Sequence, residues 1–451
     1  MAIGQVNKKY VSSTAFLDQR EILNKVLNVT NEETSFVDVM EMMNRYVPTK
    51  VPSYHHFINE ELYSSVTNVT EITALTGGSD VVGAARVVEM TKVHAATLRQ
   101  GDMLMNASGQ QLLVVGKTDG TLGDENSGTS TNLDVECVQI SLSFAVAASA
   151  ELFVFSNAAG EGSDSPAAVK YGLTKKVGNV QIFKNKYEIT DIQKTSKVEV
   201  EYGGQEYYML KGQHEALQRF RHDISKALMF GKGTGDNFSA AAPTLTDANG
   251  LPVSTTKGLH FHIADDGLSG LNPGSANTLT AADWASFSKQ FARNRFGQDY
   301  ILFCGVKGKI AIDNFIKGLP SSASHSGVRF SHGAKDYDMN VDKFSMYGRN
   351  YTVVYLPMLD HKVTVGNIPA FNDSIYIVPS DKAKVDHGGD LIDRIRVRYM
   401  VGDGTDLKYR EILTGGLAPT PTNGKSVLEV HYQCVEGLEV LGASKFGRIE
   451  L

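Results

Sequence analysis

Two histidines and two aspartates in the segment GLHFHIADDG are the residues best suited to bind a metal ion: His260, His262, Asp265 and Asp266. In an extended strand, alternate imidazoles lie on one face, and the aspartates could complete a zinc or manganese shell. A metal-dependent hydrolase would use such a site. The alternative is a polar edge strand entering an Asp-Asp-Gly turn, and it is favoured because no distant third ligand can be identified. We therefore expect neither a metal nor a cofactor.

The usual motifs for phosphate binding and nucleophilic catalysis are missing. The glycine cluster from Phe230 to Asn237 follows a predicted helix, whereas a Walker loop precedes one, so we interpret it as a helix cap and loop. No G-x-S-x-G motif occurs, and no cysteine has a recognisable catalytic context. The three cysteines cannot form a disulfide framework, and we expect them to be small buried hydrophobic residues. The sequence predicts no catalytic residue.

Three arginines alternate along the strand-like segment LIDRIRVRYM: Arg394, Arg396 and Arg398. Alternate residues of a strand share a face, so the guanidinium groups could form a basic ridge for phosphate or for a partner's carboxylates. The other interpretation is a solvated face with local ion pairs, for example to Asp393 or Glu411. Because three like charges repel unless they are countered, the arginines are interface candidates.

Charge is distributed unevenly along the chain. Residues 119–169 contain eight acidic side chains and no Lys or Arg, whereas residues 170–232 contain twelve basic and seven acidic side chains. Opposite patches can meet across subunit interfaces and set the orientation of the subunits. Asp119, Asp124 and Glu125 of the acidic block are therefore further interface candidates. The net charge of −6 excludes a polycation that binds nucleic acid through the whole chain.

Composition predicts a folded chain with no membrane span. The 451 residues correspond to about three domains, or to one domain with large excursions. Hydrophobic residues make up 42% of the chain and charged residues 21%, which excludes a disordered protein. The apolar stretch from Cys137 to Ala150 is shorter than the ~20 residues of a spanning helix. The first residues lack the apolar segment of a secretion signal, so we expect a soluble protein made inside the cell.

The first third of the chain is predicted to contain two short helices and a β-rich region. Asp18 caps the first helix and Ser35 the second, which follows helical apolar spacing over Phe36–Val47 and ends at Pro48. Each is about three turns long, so each must pack on another surface to be stable. From residue 87 to 155, short β-like runs alternate with Gly, Ser, Asn and Asp clusters. They predict a small antiparallel β-subdomain.

A long helix is the strongest local pattern. Apolar residues recur with helical spacing from Gln205 to Phe230, and Gly231 supplies a C-cap. At 1.5 Å per residue this helix would be about 39 Å long. Strands and helices then alternate, with a capping box at Thr280 and Asp283, and the C-terminal segments are strand-like. The pattern as a whole is typical of an α+β fold.

This order of elements resembles tailed-bacteriophage major capsid proteins with the Hong-Kong-97-like fold. The most specific similarity is I-T-D-x-x-K at residues 189–194, followed by β residues and a helix ending in D-I-x-K-A-L-x-F-G at residues 223–231. DWASFSKQF and DYILFCGVKGKIAIDNF are similar to the axial region. LRQGDMLM through NAAGEGS resembles β insertions in the extended loop of some longer relatives. The general character is similar to capsid proteins of crAss-like phages of gut bacteria.

The resemblance implies a division of the chain and a structural function. The implied regions are an N-terminal arm (1–68), an extended loop (69–197) with an inserted β-subdomain (about 87–166), a peripheral domain with the spine helix (198–250), an axial domain (251–374) and return strands (375–451). The implied function is a major capsid protein that forms pentamers and hexamers of an icosahedral head around double-stranded DNA, without enzymatic activity.

The resemblance also implies partners and a location. The partners are further copies of the chain, other capsid, portal and scaffold or auxiliary head proteins, and packaged DNA contacted non-specifically, with no membrane. The location is the virion, after synthesis in the bacterial host cytoplasm. Two alternatives stay open: another virion structural protein, such as a tail or sheath subunit, and the metal-dependent hydrolase.

Overall fold

The computed structural model describes most of the chain in two compact units. The described residues are 35–59, 65–74, 82–91, 95, 98–117, 132–141, 150–166, 173–192, 197–202, 205–235, 244–274, 278–294, 297–317, 343–360, 371, 373–385, 390–402 and 404–451. Unit 1 comprises Met1–His56 and Val177–Leu451, and unit 2 comprises Phe57–Lys176. The predicted β insertion, about 87–166, lies within unit 2.

Helices and strands are mixed, which confirms the predicted α+β class. The helices are α1 (Phe36–Met42), α2 (Tyr208–Phe230), α3 (Leu259–Asp266), α4 (Ala281–Arg293) and α5 (Val306–Lys317), with short 3₁₀ turns at Pro357–Leu359 and Ala443–Lys445. The strands of the N-terminal half are β1 (Tyr46–Thr49), β2 (Ser53–Asn59), β3 (Ser65–Ala74), β4 (Ala85–Thr91), β5 (Asp102–Met105), β6 (Gln111–Lys117), β7 (Asn132–Gln139), β8 (Ala150–Asn157), β9 (Leu173–Asn179), β10 (Gln181–Thr190), β11 (Lys197–Tyr202) and β12 (Gln205–Tyr207). The remaining strands are β13 (Leu268–Leu271), β14 (Asp299–Cys304), β15 (Lys343–Met346), β16 (Arg349–Tyr355), β17 (Ser374–Pro379), β18 (Lys382–Val385), β19 (Asp390–Asp393), β20 (Ile395–Gly402), β21 (Thr405–Asp406), β22 (Arg410–Thr414), β23 (Val427–Val440) and β24 (Gly447–Glu450).

Two six-stranded sheets form the framework of unit 1. In sheet I the order is β1-β20-β23-β10, with β21 on β20 and β22 on β23. In sheet II the order is β13-β24-β17-β14-β16-β15. Three two-stranded pairs are also present: β11 with β12, β18 with β19, and β2 with β9.

Helix α1 begins where the sequence predicts it. The Ser35 hydroxyl accepts from the Asp38 N–H and the Asp38 carboxylate accepts from the Ser35 N–H at 2.9 Å, which forms a capping box. The prediction that this helix continues to Val47 is wrong. Asn44 has a left-handed backbone with φ of 53°, and the chain then enters β1, which pairs in parallel with β20. The predicted helix at Asp18 lies outside the described residues.

The spine helix, α2, is nearly as long as predicted. It begins at Tyr208, because residues 205–207 pair with β11 as strand β12, and it ends at Phe230 before Gly231. Phe220, Ile224 and Leu228 are buried on the predicted face. With 23 residues, the helix is about 35 Å long. It packs across β10 and β23 of sheet I.

Sheet II is covered on one face by α4 and α5. Thr280 and Asp283 form the predicted capping box of α4, and Trp284, Phe287 and Phe291 of that helix are buried as its spacing predicts. They pack with residues of α5, β14 and β16 in one apolar cluster. On the other face of sheet II, a second cluster includes residues of α1, α2 and α3 and of sheet I. Sheet II is therefore buried on both faces.

Unit 2 contains a closed barrel with the strand order β3-β4-β7-β6-β5-β8. All of its strand pairs are antiparallel, as predicted for this region. The interior holds alternate residues of the strands, such as Val88, Leu104, Leu112 and Leu152, none of which is exposed. Among the helices that the structure describes, none has both the length and the hydrophobicity to span a lipid bilayer.

We predict that the buried face of α2 carries much of the stability of unit 1. Leu228 is fully buried, so Leu228→Ala should lower the free energy of unfolding by about 2–5 kcal/mol through lost contacts and a residual cavity. Arg219→Ala, on the exposed face of the same helix, is the matched control and should change it by less than about 0.5 kcal/mol. Urea unfolding of both variants measures the difference. Equal losses would show that α2 does not stabilise unit 1 through this face.

Candidate functional site

Two of the three predicted arginines share one buried carboxylate. Strands β20 and β23 are antiparallel, and their register places Arg396 directly opposite Glu439. The Arg396 Nε donates to Glu439 Oε2 at 2.5 Å, and the Arg398 Nε donates to the same oxygen at 2.6 Å. The Glu439 side chain is 2% exposed. The pair of guanidinium groups thus faces a carboxylate of its own chain.

The surroundings of Glu439 favour its ionised form. Burial alone would raise its pKa, but hydrogen bonds and charge from Arg398 and Arg396 outweigh burial and hold the pKa below the ordinary value of 4.5. Tyr54 closes this face, because its hydroxyl donates to the Leu438 carbonyl at 2.7 Å and its ring lies 5.9 Å from the Arg398 guanidinium. The carboxylate stays charged at neutral pH.

Arg394 is also paired within the chain. Its Nε and Nη2 donate to the two carboxylate oxygens of Asp381 at 3.2 and 3.1 Å, in the bidentate geometry that guanidinium groups favour. The alternating arginines are therefore countered by local carboxylates, Asp381 and Glu439, rather than by Asp393 or Glu411. They do not form an uncompensated basic ridge in this chain. Their role at an interface stays a prediction.

The predicted strand around His260 and His262 is wrong. The segment forms α3, in which residues two apart point about 200° away from each other, so the two imidazoles do not share a face. The segment is helical because Leu259, His260, His262 and Ile263 all become buried in the tertiary core, which overrides the alternating pattern. Asp265 and Asp266 turn towards Lys257, whose Nζ lies 2.7 and 3.8 Å from their carboxylates.

Each histidine of α3 has a surrounding that keeps it neutral. The pKa of His260 is lowered to about 4 by burial and by Arg448, and its Nδ1 lies 3.0 Å from the Tyr376 hydroxyl. The pKa of His262 is lowered to about 4 by burial and by Lys257. In the part of the chain that the structure describes, no group of three or more His, Cys, Asp or Glu side chains is arranged to hold a metal ion. The geometry gives the hydrolase alternative no support.

The three cysteines and the three acidic residues singled out in the sequence complete the set of predicted residues. Cys137, Cys304 and Cys434 are buried, as expected. Burial raises the pKa of each thiol, so each stays neutral. The acidic interface candidates Asp119, Asp124 and Glu125 lie outside the described residues. Their interface role stays a prediction.

The arm helix α1 docks on the spine helix through both polar and apolar contacts. The Val37 N–H donates to the Ser225 hydroxyl at 3.4 Å, and Arg221 lies 3.3 Å from Asp38 and 3.1 Å from Glu41. Phe36 is fully buried, and its ring meets that of Phe303 of sheet II edge to face at 5.9 Å. A short helix that is unstable alone is thus held by unit 1.

Beside this docking contact lies a cavity of about 370 Å³ that the sequence did not predict. Its most unusual lining residue is Glu436 of β23, which is 3% exposed. Burial raises the pKa of Glu436 to about 7, and the nearby Glu41 adds to this shift. The alternation in β23 contained the signal, because Leu428, Val430, Tyr432 and Cys434 are buried and Glu436 continues the same face.

One family model matches most of the chain. The family model of the SU10 major capsid protein matches residues 5–388. Among solved structures, the chain is similar to one from Microbacterium phage Oxtober96, with 9% identity, a TM-score of 0.43 and 99% of each chain covered. It is also similar to one titled as the capsid of a native GTA particle, with 7% identity, a TM-score of 0.42 and 99% of each chain covered. No curated protein matches.

We predict that Glu439→Gln destabilises the chain strongly. The substitution removes the charge that two largely buried guanidinium groups share, at an expected cost of about 3–5 kcal/mol in unfolding free energy. Because the folded-state pKa of Glu439 is depressed, its contribution is present above pH ~4.5 and is lost as the pH falls further. Chemical denaturation at pH 7 and pH 3 tests both statements.

The control for this substitution is Glu151→Gln, on the exposed outer face of β8, which should change stability by less than about 0.5 kcal/mol. Replacing Arg396, Arg398 and Glu439 together by Met, Met and Leu should recover most of the loss, since no charge is then left buried alone. If Glu439→Gln alone were as stable as the parent protein at pH 7, the ion-pair network of Glu439 with Arg396 and Arg398 would not stabilise the chain.

We predict the opposite pH response for Glu436. Its folded-state pKa is raised, so its contribution to stability is fully present below pH ~4.5 and is lost as the pH rises through about 7. Glu436→Gln should therefore be more stable than the parent protein at pH 8 by about 3 kcal/mol, and the advantage should shrink towards pH 5. The difference between the two unfolding free energies, measured from pH 5 to 8, isolates this group. A difference independent of pH would contradict the raised pKa.

Proposed function

This chain belongs to the SU10 major capsid protein family, and we propose that its copies close into pentamers and hexamers of an icosahedral phage head that encloses double-stranded DNA. The family match over residues 5–388 carries the assignment as a structural capsid subunit, and it confirms the predicted resemblance to major capsid proteins. Location in the virion follows from that family. Synthesis in the host cytoplasm and the crAss-like lineage stay predictions.

The arm helix supports an assembling subunit. Helix α1 is seven residues long and would not be stable in water alone, yet unit 1 holds it through a capping box, buried aromatic contacts and two ion pairs to Arg221. This contact holds residues 35–42 at a defined place in unit 1. We propose that the region before residue 35 contacts other copies of the chain.

The outer face of the barrel in unit 2 supports the same proposal. On the adjacent strands β8, β5 and β6, six outward-facing residues are apolar, beside polar ones such as Glu151, and three of the six are more than 40% exposed: Phe153, Phe155 and Val115. Met105 lies opposite Phe153 in the ladder, and Met103 lies opposite Leu113. We call these six side chains the barrel patch. A contiguous apolar patch on a soluble chain marks an interaction surface. We propose that it contacts another copy of the chain in the shell.

The finer features of the resemblance belong to the same proposal. We propose that sheet I with the spine helix belongs to the peripheral domain and sheet II with α4 and α5 to the axial domain, with the return strands (375–451) shared between them. The predicted extended loop, 69–197, then includes most of unit 2, and its last residues, 177–197, lie in unit 1. The proposed partners are further copies, portal, scaffold or auxiliary head proteins, and DNA contacted without sequence specificity. The chain itself is proposed to have no enzymatic activity.

Co-expression of the full chain with the proteins encoded beside it, followed by electron microscopy, tests the proposal. We expect closed shells with five-fold and six-fold capsomers. A protein that stays monomeric with every candidate scaffold present and hydrolyses a substrate would overturn it. A tail or sheath subunit would instead form tubes.

We predict that the barrel patch is needed for assembly but not for folding. Phe153→Ser and Phe155→Ser together should leave the circular dichroism spectrum and the urea midpoint of the soluble subunit almost unchanged, since both side chains are exposed. Shell yield, measured by sedimentation, should fall at least severalfold because the interface loses apolar area.

The matched control is Val82→Ser, which truncates a residue of unit 2 that is 63% exposed and lies outside the barrel patch. Its shell yield should equal that of the parent chain. Equal yields from the double variant and the control would show that the barrel patch is not an assembly surface.

A further inference from the structure

The cavity beside α1 and α2 has the lining of a binding site rather than of a packing defect. Its volume of about 370 Å³ lies within the usual range for small-molecule sites. Most of its wall is apolar, from Val37 of α1 and from Leu217, Phe220 and Ile224 of α2. Tyr46 and Tyr409 add two aromatic rings. All of these residues belong to unit 1.

Two buried polar atoms of the cavity wall make no hydrogen bond of ordinary length with the described residues: the Oε2 atom of Glu436 and the hydroxyl oxygen of Tyr46. Weaker contacts are present, because the Cys434 thiol and the Tyr46 hydroxyl lie close enough to Glu436 to offset part of the rise in pKa that burial causes. Buried polar groups normally make hydrogen bonds. The free-energy cost of leaving one without a partner is larger for a charged group such as a carboxylate. Glu436 is 3% exposed, so bulk water does not compensate for the missing partner. A ligand that donates hydrogen bonds would satisfy both atoms.

The other charges at the cavity already pair with one another. Arg221 lies 3.1 Å from one oxygen of Glu41, and Lys408 lies 3.0 Å from the other. Among the described residues that line the cavity, Glu436 is therefore the carboxylate without an ion pair. The Lys408 ammonium also lies 4.2 Å from the centre of the Tyr46 ring, which shows that this ring accepts a cation on its face.

We propose that the cavity binds a primary alkylammonium, with the ammonium at Glu436 and Tyr46 and the alkyl chain against the apolar side of α2. The ammonium supplies three donors and would form the ion pair that Glu436 does not make with Arg221 or Lys408, both of which pair with Glu41. The alkyl chain contacts aliphatic and aromatic walls and leaves no polar atom there. An anion would meet the Glu436 carboxylate, and a neutral alkane would leave both polar atoms unsatisfied.

Binding should depend on pH through the charge of Glu436. The titratable and charged groups that face this carboxyl come from every surrounding element: Glu41 of α1, Tyr46 of β1, Arg221 of α2, Lys408 and Tyr409 between β21 and β22, and Cys434 of β23. Since the pKa of Glu436 is about 7, roughly a tenth of the sites are ionised at pH 6 and most are ionised at pH 8. Apparent affinity should therefore rise about tenfold from pH 6 to pH 8.

Calorimetric titration of the full-length soluble subunit with pentylamine tests the proposal. We expect saturable binding of one pentylamine per chain at pH 8 and about tenfold weaker binding at pH 6. 1-Pentanol, which has the same chain length but no charge, should bind at least tenfold more weakly. Equal binding of pentylamine and pentanol, or binding of pentylamine that does not change with pH, would overturn the proposal, as would the absence of saturable binding.

Two variants and a control test the site itself. Glu436→Gln keeps the shape of the side chain and should weaken pentylamine at least tenfold while abolishing the pH dependence. Leu217→Trp should block the site from the apolar side by filling the cavity. Glu151→Gln removes an exposed carboxylate of unit 2 and should bind like the parent chain. Parent-like binding by Glu436→Gln would place the amine elsewhere and overturn the assignment, whether or not Leu217→Trp folds.

The alkylammonium could be a free amine or the lysine side chain of a neighbouring copy. Titration of assembled shells with pentylamine separates the two sources. This part of the test rests on the proposed function. Shells that bind pentylamine as the soluble subunit does indicate a free amine. Shells that no longer bind it, while soluble subunits do, indicate that a lysine of the adjacent copy occupies the cavity. If the chain does not assemble, the titration of the soluble subunit can still be carried out. The proposed capsid function and the proposed alkylammonium site can therefore be refuted independently.

Discussion

Burial of one apolar core between two six-stranded sheets is the constraint on which unit 1 depends. Strands β14 and β17 bury both faces: Phe303 and Tyr376 point into the core shared with sheet I, whereas Leu302 and Ile377 point into the cluster under α4 and α5. A sheet buried on both sides needs near-continuous apolar strands, and these are what DYILFC and SIYIVP provide. Helices α1 and α2 contribute to the shared core, so the arm helix, the spine helix and both sheets are joined through it. Sheet II has in addition its own apolar cluster under α4 and α5.

The charges of unit 1 follow from the same constraint. In its second half, β23 is buried on both faces, so the two carboxylates that it carries there are both removed from water. Glu439 faces two guanidinium groups and its ionised form is stabilised, whereas Glu436 faces a cavity and burial raises its pKa. Glu436 and Glu439 are three residues apart on one strand, yet their contributions to stability change with pH in opposite directions. The difference lies in the neighbouring strand, because β20 supplies two arginines to one face of β23 only.

Patterns that depend on neighbours in sequence predicted the local structure well. The capping boxes at Ser35 and Thr280 are formed by side chains three residues apart, and the buried faces of α2 and α4 follow from helical spacing. Residues 43–47 were predicted as helix, but pairing with β20 places Tyr46 and Val47 in a strand. Residues 259–266 were predicted as a strand, but they form a helix with four side chains buried in the tertiary core. Tertiary contacts determine the structure of both segments. The pairing of Arg396 with Glu439, 43 residues away, depends on strand register, which no local pattern specifies.

Closure of the barrel determines how unit 2 can make contacts. A closed barrel has no free strand edge, so its six strands leave no open edge along which another chain could pair. Association through this unit must therefore use side chains, and the exposed apolar ones on β8 and β6 are the groups with area to lose from water. Side-chain contacts depend on shape and residue type, whereas edge pairing depends mainly on backbone. A closed barrel with an apolar patch on one side thus favours a specific partner and disfavours open-ended aggregation, which is the combination that a subunit of a closed shell requires.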